Sequence, residues 1–210
     1  MSGELSYTHR FEPGTRSDAT PILLLHGTGG NENDLIDIGR RVAPGAALLS
    51  PRGNVLENGM ARFFRRFGES LFDEDDVRRR AGDLADFIVA ARRKYDLAPL
   101  VALGYSNGAN IAAAMLLLRP DALAGAILLR AMTPFSEPPQ ADLSGKPVLI
   151  LSGGSDPIIP AENSARLAAV LERAGADVRY HRLAAGHNLI EDDFAVASDW
   201  LRMKAHPSLG

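Results

Sequence analysis

The chain has 210 residues, of which 46% are hydrophobic and 23% charged, with a formal net charge of −3. That length supports one well-buried core, and the charge balance lacks the basic surface with which a nucleic-acid binder neutralises phosphates. There is no cysteine, which excludes a disulfide framework, a thiolate nucleophile and a thiolate metal site. The polar opening MSGELSYTHRF has no apolar leader core, and the longest apolar run, Ile111 to Leu118, is too short to cross a bilayer. The expectation is one cytoplasmic domain over residues 1–210, with no nucleic-acid partner and no membrane insertion.

In chain order, LSYTHRF (5–11) reads as an antiparallel edge strand. PILLLHG (21–27), AALLS (46–50), LVALGYS (100–106), GAILLR (125–130) and PVLILSGG (147–154) are short continuous apolar runs ending in Gly, Ser, His or Arg. Such runs suit parallel strands buried on both faces. DVRYHRL (177–183) alternates and belongs nearer an edge. Between the strands, apolar residues recur at helical spacing: Leu35, Ile38 and Val42, then Val77, Ala81, Leu84, Ile88, Ala91 and Tyr95. A third helix spans Asn107 to Leu118 and stops before Pro120. A fourth runs from Ala161 to Ala174 between Pro160 and Gly175, and a last one from Glu191 to about Lys204 turns Phe194, Ala197, Trp200 and Leu201 inward. Strand–helix alternation predicts an α/β fold, a mostly parallel sheet with helices on both faces and ligands beyond the carboxyl ends of the strands. Residues 50–76 and 131–147 fit no regular element, and Pro134, Pro138 and Pro139 in the second leave no room for a helical lid.

Ser106 lies in Gly104-Tyr105-Ser106-Asn107-Gly108, between an apolar strand and a helix. That is the context of a nucleophile elbow, but serine is also a favoured helix N-cap, and the motif alone leaves both readings open. A serine nucleophile needs a base, itself oriented by an acid. Of five histidines, His9 and His181 fall inside strands, His26 is locked at a strand end and His206 is in a polar tail. His187, in LAAGHNLIEDD, alone combines a loop with a place just beyond a strand. Asp156, in LILSGGSDPIIP, follows a buried strand and two glycines. Asp121 and Asp142 compete from peripheral loops, and the helix dipole accounts for Asp192 and Asp193. The HGTGG loop (26–30) could turn backbone N–H groups toward a developing oxyanion. Thr28 and Asn107 are the assigned donors, with Gly29 as a substitute for Thr28; the lysine of a phosphate-binding P-loop is missing. Four such elements in the order Ser…Asp…His imply a serine hydrolase.

On these motifs the chain resembles the carboxylesterase/phospholipase branch of the α/β-hydrolase superfamily, which includes acyl-protein thioesterase-like enzymes. LLHGTGGNENDL, SPRGNVLENGMARFFRRF, GYSNGANIAAAMLL, GSDPIIP and AGHNL are similar to the hydroquinone-responsive group of small bacterial esterases in particular. The likeness runs from about Ile22 to Leu201. It implies Ser106, Asp156 and His187 as triad, Thr28 and Asn107 as oxyanion donors, a small ester as substrate, no metal or organic cofactor, and room for a homodimer. Ala131 departs from it, standing where a proline is expected. The excursion at 50–76 offers Met60, Phe63, Phe64, Leu71 and Phe72 as apolar pocket walls, narrowed to Met60, Phe63 and Phe64, with Met132 from the loop opposite. Thioester or lysophospholipid hydrolysis would use the same triad, a catalytically silent ligand-binding homologue is the alternative of another class, and an epoxide hydrolase or dehalogenase would want aspartate at 106.

Overall fold

Strands that are apolar on both sides must be covered twice, and the helices do this from two sides. The computed structural model describes residues 5–68 and 70–205. Its elements are β1 (His9–Glu12), β2 (Ile22–Leu25), α1 (Ile36–Val42), β3 (Leu48–Pro51), β4 (Val55–Glu57), β5 (Met60–Arg62), β6 (Arg66–Gly68), β7 (Leu71–Phe72), α2 (Glu74–Tyr95), β8 (Val101–Tyr105), α3 (Asn107–Leu118), β9 (Gly125–Leu129), β10 (Pro147–Gly153), α4 (Ala161–Arg173), β11 (Asp177–Leu183) and α5 (Glu191–Ala205). Seven strands form one sheet in the order β1-β3-β2-β8-β9-β10-β11. Only β1 is antiparallel, paired with β3 at one edge. β11 closes the other edge, where its alternating sequence leaves Asp177, Arg179 and His181 exposed on one face.

Successive side chains along each strand enter opposite cores, as the pleat requires. Leu23, Leu25, Ala102, Leu128 and Ile150 pack with Val77, Leu84, Ile111 and Leu171, from α2, α3 and α4. Ile22, Leu24, Leu103, Ile127 and Leu149 pack on the other face with Ile36 and Val42 of α1 and with Ala197 and Trp200 of α5. Fully burying a Leu or Ile contributes roughly 1.5–3 kcal/mol, so the centre of the sheet is its most stable part. α3 is apolar nearly all round, as befits a helix buried along its length.

The chain leaves β2 for β3 through α1 and returns from β3 to β8 by way of α2, on the opposite face. The carboxyl ends of β2 and β8, in register at Leu25 and Gly104, therefore flank the point where the topology reverses, the place where such sheets open a ligand crevice. The excursion at 50–76 is more ordered than its sequence suggested. It forms two short antiparallel hairpins, β4–β5 and β6–β7. The first turns at Asn58-Gly59, both at positive φ (51° and 80°), the type I′ signature of a two-residue hairpin. Three-residue strands are too short for an alternation pattern to be visible.

Candidate active site

The elbow follows from backbone geometry in a five-residue stretch. Ser106 has φ 52° and ψ −112°, a conformation that costs a non-glycine residue about 1–3 kcal/mol and persists only where the surroundings enforce it. Its N–H donates to Leu129 O at 2.9 Å, tying the turn to β9. Gly108 admits no side chain, because a Cβ there would lie 2.0 Å from Leu25 O; its absence lets α3 start directly against the end of β2. Ser106 occupies the N-cap position of α3, yet its side chain makes no capping bond. The hydroxyl instead reaches His187 Nε2 at 3.1 Å. The hydroxyl therefore does not cap the helix whose first turn it precedes.

His187 Nδ1 lies 2.8 Å from Asp156 Oδ2. An ionised carboxylate can only accept, so Nδ1 carries the proton and Nε2 is left to accept from Ser106. The other oxygen, Asp156 Oδ1, accepts from the N–H groups of Ile158 and Ile159 at 2.8 and 2.9 Å. These bonds fix a carboxylate whose side chain is fully buried. Gly153, at the end of β10, lets the acid and base loops approach: a Cβ there would meet Gly186 O at 2.3 Å. The competitors lie elsewhere. Asp142 bonds its own neighbour Ser144, and Asp121 is exposed beside Arg119.

Beside the elbow, the HGTGG loop is sewn to the first hairpin. Gly29 N–H donates to Ala61 O at 2.9 Å, so this group is occupied and Gly29 is withdrawn as a substitute oxyanion donor. Arg62 Nη1 donates to Thr28 Oγ1 at 2.5 Å, and burial brings the Arg62 guanidinium down to about 10, still protonated at neutral pH. Asn107 Oδ1 accepts from Phe63 N–H at 2.8 Å, while Asn110 Oδ1 accepts from Met132 N–H at 2.9 Å. The first two turns of α3 thus anchor the walls on both sides of Ser106. As the first helical residue, Asn107 has no intrahelical acceptor for its own N–H. His26 is buried beside these residues; its Nδ1–H donates to Gly27 O, and Nε2 accepts from Gly53 N–H at 2.9 Å. Burial lowers its pKa below the usual imidazole value.

Of the expected wall residues, Phe63 and Phe64 are 1% and 0% exposed. They belong to the core beneath α2 and α3 and offer a substrate almost no surface, because the hairpin turns its aromatic end inward. Met60 is 40% exposed and lies over Gly29. Met132 lines a recess of about 190 Å³ with Leu71, Phe72, Pro134 and Asn163. Two larger recesses, about 380 and 640 Å³, sit at the opposite end of the sheet near Thr20 and Pro21. His206 lies outside the described residues.

Asp193 does not act merely as a helix-dipole partner; it is fully buried and pairs with both terminal nitrogens of Arg130, at 2.8 Å each. An arginine closing the apolar run GAILLR was the available signal, since a buried guanidinium needs a buried partner.

A family model described as alpha/beta hydrolase fold matches residues 62–146. The chain is 43% identical over 196 residues to the Bacillus subtilis (strain 168) protein MhqD, which its name places among hydrolases; the match covers 92% of this chain and 97% of that one. Among solved structures, the Bacillus cereus carboxylesterase is 44% identical with 95% of each chain covered and a TM-score of 0.92. Atu2452 from Agrobacterium tumefaciens str. C58, of unknown function, is 39% identical over 94% of this chain and 96% of that one, with a TM-score of 0.86.

Proposed function

This chain belongs to the α/β-hydrolase family, and on that premise we propose that it is a serine carboxylesterase acting on small esters through Ser106, His187 and Asp156. The observation that carries the reading is the Ser106 hydroxyl, which leaves a helix-cap position uncapped to bond His187 Nε2. The 44% identical neighbour that is a carboxylesterase adds to it.

In the proposed reaction His187 Nε2 takes the Ser106 proton as Oγ attacks the ester carbonyl. Asp156 holds the imidazole in the required tautomer and offsets its positive charge. The N–H groups of Thr28 and Asn107 receive the oxyanion, a contribution of about 2.7–4 kcal/mol per donor in comparable sites. His187 then hands the proton to the leaving alcohol, and a water activated the same way hydrolyses the acyl-enzyme. Residues 131–146 carry no helix over the mouth, which favours short- to medium-chain or aromatic acyl groups over long ones.

The test is hydrolysis of p-nitrophenyl esters from acetate to palmitate by the wild type and Ser106→Ala. The expected result is a preference for the short esters and a kcat loss on the order of 10⁶-fold in the variant. Undiminished turnover by Ser106→Ala sinks the mechanism, and equal turnover of acetate and palmitate sinks the chain-length reading.

A further inference from the structure

The loop between β11 and α5 carries His187 but has no repetitive hydrogen bonding to hold it. We infer that Arg130, locked by Asp193, is the positioning residue that sets His187 against Ser106. The inference rests on the triad reading above.

Arg130 follows β9 and is fully buried, and all five of its guanidinium N–H groups are used. Nε donates to Gly186 O at 2.9 Å. Nη1 donates to Leu151 O at 3.3 Å and Asp193 Oδ1 at 2.8 Å. Nη2 donates to Asn188 O at 3.1 Å and Asp193 Oδ2 at 2.8 Å. The residues on either side of His187 are thus both held by one rigid plane. His187 O itself accepts from the Tyr105 hydroxyl at 3.2 Å, so three consecutive carbonyls are fixed by side chains from the ends of β8 and β9. Asp193 completes the frame by accepting Ile190 N–H at 2.8 Å.

The chemistry of the pair explains the division of labour. The carboxylate meets the guanidinium fork edge-on and fixes its plane, and that plane aims Nε and Nη2 at the two carbonyls. A lysine could neutralise Asp193, but its three N–H groups could not reach these five acceptor atoms in fixed directions. Arg130 also sits at φ 54°, a strained backbone for a branched chain of contacts to impose, and one that needs such over-determination to persist. Arg130 makes no bond to Ser106 or to the imidazole, so its effect on catalysis runs through the placement of His187. A displacement of 1 Å in such a base costs about 10²-fold in rate.

The test is steady-state kinetics on a short p-nitrophenyl ester, with thermal unfolding of each variant. Replacing a buried ion pair by apolar residues often leaves stability unchanged, so Arg130→Met combined with Asp193→Leu should remain folded. The expected result is kcat lower by about 10²-fold with KM nearly unchanged. Asp193→Asn, of the same shape, should show the same split and decides the matter if the double variant does not fold. A folded variant with wild-type kcat, or a loss confined to KM, overturns the inference. Ser106→Ala and His187→Ala run alongside separate the two levels. If they retain activity the triad reading fails; if they are inactive while the pair variants keep kcat, only the role of Arg130 fails.

Discussion

The elbow around Ser106 and the loop around His187 meet across 3.1 Å, but they are held by different means. The elbow is a backbone device: a strained φ at Ser106, a glycine against β2 and a main-chain bond to β9. The histidine loop is held from outside by Arg130 and Tyr105, with Asp193 and Asp156 as counterparts. A local device tolerates no change within its own few residues. A loop held by remote side chains should tolerate changes in its own side chains other than His187, provided its carbonyls stay in place.

The strongest way to break this contrast is Gly108→Ala. Its methyl would press on Leu25 O, and the expected cost is about 1–3 kcal/mol or more of unfolding free energy, read from urea unfolding at neutral pH. Wild-type stability would show that the elbow is less locally constrained than its geometry implies.

A smaller effect is expected at His26, where a side chain holds the 50s segment much as Arg130 holds the histidine loop. Burial depresses its folded-state pKa, so between that value and the free imidazole value of about 6.5 the unfolded state binds more protons. Its contribution is therefore full above about pH 6.5 and lost as pH falls through the folded-state value. His26→Gln should flatten the decline in stability between neutral and acid pH; an unchanged slope would show that the Gly53 N–H bond does not couple to protonation.

The smallest effect is expected at Asn188→Ala. Arg130 uses only the carbonyl of Asn188, so kcat should stay within about twofold and stability within about 0.5 kcal/mol. A large loss of kcat would mean that the loop depends on its own side chains after all.

The strands and helices of the sheet were readable because burial on both faces imposes a pattern on the sequence. β11 and α3 have the bounds expected from it, and the antiparallel edge at β1 lies close to the expected segment. The hairpins of 55–72 were missed because strands this short carry no period, although Asn58-Gly59 was a usable sign. Phe63 and Phe64 were misread for a related reason. An aromatic pair in an irregular segment does not say whether it faces a cleft or the core, and here it faces the core.

By itself the sequence determined the alternation of buried strands and helices, the elbow and the order of Ser106, Asp156 and His187, since these depend on local backbone preference and apolar spacing. Only the tertiary structure decided that the Ser106 hydroxyl turns to His187 rather than capping α3, that Gly29 is occupied by Ala61, and that Asp193 belongs to Arg130. Those are contacts between segments far apart in the chain, and no local pattern encodes which donor will find which acceptor once the sheet has assembled.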